Sequence, residues 1–143
     1  MTFSIEEVLK ATGGRLLQGE TNAFFHGIST DSRTVAEGEL FIALKGTHFD
    51  GHQYALEALQ KNAGGVLIEE DKVRDIRWNG FRPRAVIAVK DTLFALGELA
   101  RERRRKYGTP IVALTGSNGK TTTKEMIAAC IETTFPVLKT KGN

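Results

Sequence analysis

Short apolar runs and helical apolar stripes alternate along the chain. Continuous runs predict strands at residues 15–18, 24–28, 40–44, 66–68 and 85–89. We also expect a hairpin between Val35 and the run at 40–44. Apolar residues at helical spacing predict a short helix after Ser4 and further helices at residues 53–62 and 92–107. Strands that alternate with helices predict a mixed α/β fold.

Capping signals fix the ends of these predicted helices. Ser4 and Glu7 have the spacing of a capping box, which satisfies the first backbone N–H groups of a helix. Asp50 and Asp91 precede the second and third helices as N-caps, and Gly108 follows the third.

The strongest chemical signal lies at residues 111–123, which read IVALTGSNGKTTT. The apolar run 111–114 is typical of a buried parallel strand. Gly116 and Gly119 allow a tight turn and leave backbone N–H groups open to phosphate oxygens, and a helix follows directly. Residues 136–140 predict a second strand, and the β-loop-α-β order then implies a parallel sheet with a right-handed crossover. This pattern predicts a phosphate-binding loop.

Two side chains of this loop suit nucleotide chemistry. Lys120 would reach the terminal phosphates, and Thr121 offers the hydroxyl that Mg²⁺ bound to phosphate usually takes as a ligand. Thr122 either touches nucleotide or is only a first-turn helix residue. The common phosphate-loop pattern requires a glycine where this chain has Leu114, so the loop is a short variant.

Two polar loops in the first half form a second candidate site. Residues 29–33 read STDSR, and their side chains either bond their own turn or offer hydrogen bonds to a sugar or a diphosphate. Residues 45–52 read KGTHFDGH. His48 and His52 have no third ligand at metal-binding spacing, so we expect no metal there. Cys130 falls in a helical pattern, which predicts a buried, inert thiol.

Composition and charge exclude several classes of function. The 143 residues carry a net charge of +3, and no apolar run approaches the ~20 residues of a membrane span. Residues 1–70 contain 5 Lys/Arg and 10 Asp/Glu, whereas residues 71–143 contain 15 and 7. The basic run at 101–106 fits the solvated face and last turn of a helix, so we expect no nucleic-acid partner. The N-terminus has no apolar signal core, and a cytoplasmic location is expected.

Three segments resemble one enzyme family. Residues 115–126 (TGSNGKTTTKEM) are similar to the ATP loop of the Mur ligases of bacterial peptidoglycan synthesis. Residues 31–46 (DSRTVAEGELFIALKG) and 49–52 (FDGH) are similar to the N-terminal uridine-diphosphate domain of that family. The family uses a shorter Gly-x-x-Gly-Lys-Thr loop, so Leu114 agrees with the resemblance.

The resemblance implies two domains. Residues 1–90 would form a small mixed α/β domain that binds a UDP precursor. Residues 91–143 would begin the central ATP-binding domain with the first β-P-loop-α-β unit of a parallel-sheet ATPase. We expect that domain to be incomplete, so the chain would be a fragment of a longer enzyme and inactive in ligation by itself.

The resemblance also implies a reaction. ISTDSR at residues 28–33 and FDGH most resemble the family member that joins D-alanyl-D-alanine to UDP-N-acetylmuramoyl-tripeptide. That ATP- and Mg²⁺-dependent ligase activates the tripeptide carboxylate as an acyl phosphate, in the synthesis of peptidoglycan for cell-wall biogenesis and division. We expect a monomer. The alternatives are the related ligase that adds the third, diamino acid, a non-catalytic nucleotide-sugar-binding module, and an unrelated P-loop kinase or GTPase.

Site residues are carried over from the matching motifs. Lys120 would be catalytic, and Thr121 would also hold the metal ion. The nucleotide loop would comprise Thr115, Gly116, Ser117, Asn118, Gly119, Lys120, Thr121 and Thr122. The precursor pocket would comprise Ser29, Thr30, Asp31, Ser32, Arg33, Lys45, Gly46, Asp50 and His52.

Overall fold

The computed structural model describes residues 2–76, 78 and 83–141 and divides the chain into two compact units, Met1–Gly108 and Thr109–Asn143. The first unit includes the helix α3 (Thr92–Tyr107), because Ala95 and Leu99 share a buried cluster with Ile5 and Val8. This structural division follows α3. The functional boundary near residue 90 stays a prediction.

The first unit is built on a five-stranded mixed sheet in the order β2-β7-β6-β5-β4. Strands β4 to β7 are parallel, and β2 pairs antiparallel with β7 at one edge. Two further short strands, β1 and β3, form an antiparallel pair. The strands are β1 (Phe3–Ser4), β2 (Arg15–Gln18), β3 (Phe24–Phe25), β4 (Ile28–Ser29), β5 (Leu40–Ile42), β6 (Gly65–Glu69) and β7 (Val86–Val89).

Helices cover both faces of this sheet. In β5, Leu40 and Ile42 contribute to the cluster that holds α1 (Ile5–Thr12) and α3, whereas Phe41 faces the opposite cluster with α2 (Ala55–Gln60). Because successive side chains of a strand point to opposite faces, the continuous apolar runs supply both cores. The α/β fold class predicted from the alternating runs is confirmed.

The helix ends follow the predicted caps. Ser4 Oγ accepts a hydrogen bond from Glu7 N, and the Glu7 carboxylate accepts one from Ser4 N, each at 3.0 Å. Asp91 Oδ1 accepts a hydrogen bond from Phe94 N at 2.8 Å, and Gly108 ends α3 with a φ of 59°. These signals are local, which explains why the sequence alone identifies them.

Three predictions about the first unit are wrong. Val35 forms no hairpin with β5, whose neighbours β4 and β6 are both parallel to it. The run at 24–28 divides into β3 and β4 because its two ends pair with different sheets. The helix expected at 53–62 begins as a 3₁₀ turn, Gly51–Tyr54, and continues as the shorter α2.

The second unit contains the predicted helix, α4 (Lys120–Glu132), but not the predicted strands. Residues 111–114 and 136–140 are not in strands, and Ile111 is 64% exposed. An apolar run becomes a strand only when a neighbour completes its hydrogen bonds, and residues 109–141 pair with none. Cys130 is exposed rather than buried, because α4 buries only Ala128 among its described residues.

Candidate functional site

The two predicted precursor loops follow neighbouring parallel strands. The loop at 30–34 follows β4, and the loop at 43–50 follows β5, with β4 and β5 hydrogen-bonded to each other. Parallel strands end at the same edge of a sheet, and ligands of open α/β sheets bind outside that carboxyl edge. The topology therefore places both loops where a ligand of this fold would bind.

Asp31 holds the Arg33 side chain in the first loop. The Asp31 carboxylate accepts hydrogen bonds from Arg33 N at 2.9 Å, Nε at 2.9 Å and Nη2 at 2.7 Å. The Arg33 side chain is nevertheless 83% exposed, and that of Asp31 is 37% exposed. The guanidinium is thus oriented by a fork of hydrogen bonds and remains open to solvent.

This contact controls the ionisation of Asp31. Hydrogen bonds from the Arg33 side chain and backbone lower the pKa of Asp31 from 3.8 to about 2. Since these bonds favour the charged carboxylate, the pair is fully formed above pH 3.8 and is lost as the pH falls through about 2.

The pKa of Asp31 provides a direct test of this loop. We expect Asp31 to titrate at about 2 in the wild-type chain, and at a higher pH that is still below 3.8 in Arg33→Ala, because the substitution removes the side-chain hydrogen bonds but keeps the one from the backbone N–H. Carboxyl ¹³C NMR across pH 1.5–6 measures both values. Lys61→Ala is the comparison variant and should change the pKa less, because the charge of Lys61 is the smallest of the effects on Asp31. An unchanged titration in Arg33→Ala would contradict the paired geometry.

The rest of the loop is fixed to its surroundings. Ser29 Oγ donates to Asp31 O at 3.1 Å and accepts from Asp31 N at 3.3 Å, so this polar side chain does bond its own turn. Ser32 is buried, and its carbonyl accepts a hydrogen bond from Lys61 Nζ at 2.9 Å. Thr30 and Arg33 are exposed. These two side chains therefore remain available to a ligand.

The second loop borders a cavity of about 450 Å³ that is open to solvent. A backbone bridge between Lys45 and Asp50 and a hydrogen bond from Gly46 N to Phe49 O at 2.8 Å close the loop on itself. Residues 29–33 do not line this cavity. Its lining residues are Lys45, Gly46, Thr47, His48, Phe49, Asp50, Gln53 and Tyr54.

His52 lies under the loop rather than in the cavity. Its Nδ1 is 2.6 Å from Asp50 Oδ1, and its Nε2 accepts a hydrogen bond from Glu69 N at 3.0 Å. Nδ1 therefore carries the ring proton and donates a hydrogen bond to Asp50 Oδ1. Partial burial raises the pKa of Asp50, but hydrogen bonds from the His52 ring and backbone outweigh it and leave that pKa lowered. With both ring nitrogens engaged and the side chain 4% exposed, His52 positions the loop and offers no nitrogen to a ligand.

The predicted nucleotide loop of the second unit has features that favour an anion. Gly116 and Gly119 have φ values of 148° and 76°, and an added Cβ at either would meet no atom closer than 3.8 Å, so the space beside both is open. Lys120 Nζ donates to Gly116 O at 2.5 Å, which folds its ammonium over the loop. α4 begins at Lys120 with neither a side-chain cap nor an acidic residue in its first turn. A helix N-terminus of this kind favours an anion.

The structure groups the predicted site residues in three places. Asp31 and Arg33 form one charged loop, Lys45, Gly46 and Asp50 line the cavity, and residues 115–122 form the loop before α4 and its first turn. The sequence prediction missed the aromatic side chains of the cavity. Phe49 is 73% exposed and Tyr54 is 39% exposed. The signal that could have identified Phe49 is an aromatic residue between polar neighbours in a loop.

Two models of known protein families match this chain. The model described as "Mur ligase family, catalytic domain" matches residues 24–104, more than half of the chain. The chain belongs to the Mur ligase family. The model described as "Mur ligase middle domain" matches residues 114–143, so the two Mur ligase matches follow the order of the two compact units.

Mur ligase relatives match the chain along its whole length. A UDP-N-acetylmuramoyl-tripeptide–D-alanyl-D-alanine ligase from Bacillus subtilis is 40% identical over 98% of this chain and 29% of its own. A UDP-N-acetylmuramoyl-L-alanyl-D-glutamate–2,6-diaminopimelate ligase from Bacteroides thetaiotaomicron is 37% identical over 92% of this chain and 26% of its own. The chain spans about 30% of the length of the D-alanyl-D-alanine ligases that it matches.

Solved Mur ligase structures share the fold. MurF from Acinetobacter baumannii superposes with a TM-score of 0.84 and 31% identity, over 100% of this chain and 30% of that one. MurF from Thermotoga maritima, solved in complex with ADP, gives a TM-score of 0.69 and 35% identity over 81% of this chain and 25% of that one. Within the described residues, no helix has the length and apolar character needed to cross a bilayer.

Proposed function

We propose that this chain supplies the precursor-binding part and the first ATP-binding elements of a ligase that adds D-alanyl-D-alanine to UDP-N-acetylmuramoyl-tripeptide. The observation that carries the proposal is the order of its two family matches, each of which contains a loop suited to phosphate. The reaction would belong to the cytoplasmic stage of peptidoglycan synthesis and thus to cell-wall formation and division. A monomer is the expected state.

The proposed precursor site lies at the carboxyl edge of the parallel sheet. Arg33 is held by Asp31 with its guanidinium exposed, and Lys45 stands on the neighbouring loop, so two cations are presented at one edge. Two cations suit the charge of a diphosphate. The exposed ring of Phe49 in the cavity wall suits the flat face of a base. Residues 1–90 thus contain groups suited to the base and to the diphosphate of a uridine diphosphate.

The proposed nucleotide site is the loop before α4. Thr115, Gly116, Ser117, Asn118 and Gly119 would surround the phosphates with backbone N–H groups, and Lys120 would lie against their charge. When bound, ATP supplies a phosphate leaving group that a free carboxylate lacks. The Thr121 hydroxyl is an oxygen ligand of the kind that Mg²⁺ prefers, and Thr122 lies beside it in the first turn. In this proposal these residues hold the phosphate charge and position the reacting groups.

Binding of the precursor to Arg33 tests this function. We expect Arg33→Ala to weaken binding of UDP-N-acetylmuramoyl-tripeptide roughly 10- to 100-fold, because a hydrogen bond to a charged group contributes about 1.5–3 kcal/mol. Isothermal titration calorimetry of the 143-residue chain measures the change. Arg104→Ala, an exposed residue of α3, is the matched control and should bind as the wild type does. A wild-type chain that gives no binding heat would refute the precursor site.

A second function is favoured by the 37% identity to the diaminopimelate ligase. The two reactions share the nucleotide loop and the UDP precursor class and differ in the amine that is added. Assay of the complete ligase with D-alanyl-D-alanine and with diaminopimelate separates them. Transfer to D-alanyl-D-alanine alone supports the proposal, and transfer to the diamino acid alone would replace it.

A further inference from the structure

One side chain from another element holds the loop that carries Arg33. Lys61, the residue that follows α2, donates a hydrogen bond from Nζ to the Ser32 carbonyl oxygen at 2.9 Å, across 29 positions of sequence. Within the part of the chain that the structure describes, the other hydrogen bonds of residues 31–34 are formed inside residues 29–34. Among the described residues of other elements, Lys61 alone is therefore hydrogen-bonded to the Arg33 segment (residues 31–34).

Lys61 is itself held in one orientation. Its Nζ also lies 2.9 Å from Glu57 Oε1, one helical turn earlier in α2. Side chains of a helix point towards its N-terminus, and residues four apart lie on one face, so the ammonium is directed back along α2. The ammonium thus bridges a carboxylate of α2 and a carbonyl of the Arg33 segment.

The rest of the connection from β4 to β5 does not depend on this ammonium. Val35 is buried and packs in the cluster that contains Leu59 of α2. The carbonyl of Asn62 accepts a hydrogen bond from Gly38 N at 2.9 Å. Because apolar packing and a backbone hydrogen bond fix this part, loss of the ammonium would release only the Arg33 segment.

Helix α2 also connects Lys61 to the second loop. It directly follows the 3₁₀ turn Gly51–Tyr54, and Gln53 and Tyr54 of that turn line the cavity. One continuous element therefore carries part of the cavity wall at its start and holds the Arg33 segment at its end.

We propose that Lys61 is a positioning residue for the precursor: by fixing the Arg33 segment to α2, it sets where the Arg33 guanidinium stands. This inference rests on the precursor site proposed above. Asp31 orients the same guanidinium, but Asp31 belongs to the segment and moves with it. A loop that is fixed before its ligand arrives costs less to order on binding. Lys61 should therefore strengthen binding without touching the precursor.

Calorimetric titration of the 143-residue chain with UDP-N-acetylmuramoyl-tripeptide tests this role. Lys61→Met keeps the length and the apolar stem of the side chain but removes the ammonium, so we expect binding to weaken roughly three- to tenfold. Lys61→Arg keeps a charged donor and should restore the affinity to within about twofold. Lys10→Met is the matched control, since it makes the same change on α1, which covers the opposite face of the sheet, and it should bind as the wild type does.

Salt separates positioning from a direct effect of charge. Raising the ionic strength from about 0.1 M to about 1 M shortens the Debye length from about 10 Å to about 3 Å. The ratio of the dissociation constants of Lys61→Met and the wild type should stay the same, because Lys61 acts through the Arg33 segment. A ratio that falls to one at high salt would overturn the proposal, since the ammonium would then act on the ligand through space.

NMR ¹⁵N relaxation of the ligand-free chain tests the anchoring by itself. In Lys61→Met, the order parameters of the Arg33 and Thr34 amides should fall from about 0.85 towards about 0.6. That of Ala43, whose N–H donates to Leu67 O in the sheet, should not change. Equal order parameters for the Arg33 segment in the two chains would overturn the proposal.

This inference and the precursor site fail in different ways. A wild-type chain without binding heat would refute the precursor site and this inference with it. A wild-type chain that binds, together with a Lys61→Met variant that binds equally well, would refute this inference alone. Circular dichroism and urea denaturation establish that each variant is folded under the conditions of the titration.

Discussion

Replacement of Lys120 by alanine is expected to reduce ligation at least about a hundred- to a thousandfold in the ligase that carries this segment, while precursor binding stays unchanged. The Lys120 ammonium lies over the loop through its bond to Gly116 O, where phosphate charge would develop. A cation placed at such a point stabilises the transition state more than the ground state. The loss should therefore fall on the rate of the reaction.

Phosphate release and calorimetric titration of UDP-N-acetylmuramoyl-tripeptide measure the two effects separately. Lys139→Ala is the matched control, since Lys139 pairs with Glu125 and Glu132 in the same unit and does not belong to the loop. It should retain most of the activity. If Lys120→Ala lost precursor binding and ligation to the same degree, the division into a precursor site and a nucleotide site would be wrong.

Replacement of His52 by alanine should lower the free energy of unfolding of the first unit by roughly 2–4 kcal/mol. The substitution breaks the hydrogen bonds to Asp50 and Glu69 and leaves the partly buried Glu69 N–H without its acceptor. It also empties the space of a side chain that is 4% exposed. The cost combines lost hydrogen bonds with a cavity.

Urea denaturation followed by circular dichroism provides the measurement for His52→Ala. The matched control is His48→Ala in the same loop, which is exposed and should unfold within about 0.5 kcal/mol of the wild type. Equal unfolding midpoints for the two variants would show that His52 does not hold the loop to β6.

The helix ends could be predicted accurately because they depend on local signals. The strand partners could not, because they depend on long-range pairing. The capping box of Ser4 and Glu7 and the caps of α3 at Asp91 and Gly108 depend on residues a few positions apart. The hairpin expected at Val35 failed because the choice between a local antiparallel partner and distant parallel ones is made by the whole sheet. Hydrophobic runs identify strands without identifying their partners.

The same limit applies to the candidate site. The sequence pointed to Asp31 and Arg33, but their mutual fork of hydrogen bonds appears only in the folded loop. The sequence analysis placed His52 among the ligand-binding residues. Its second partner, Glu69, lies 17 positions away on β6, and this contact could not be read from the sequence. The cavity aromatics were missed because an exposed ring in a loop has no periodic pattern. Residue type indicated the chemistry, whereas long-range contacts decided which groups are free.

The antiparallel edge strand has a consequence for the order in which the first unit folds. Strand β2 pairs only with β7 within the described sheet, and Gln18 Nε2 donates to Pro83 O across 65 positions of sequence. During synthesis from the N-terminus, β2 must wait for the last strand of its sheet before it can form its hydrogen bonds. We therefore expect the chain to leave the ribosome with residues 15–18 unpaired until nearly the whole unit has been made.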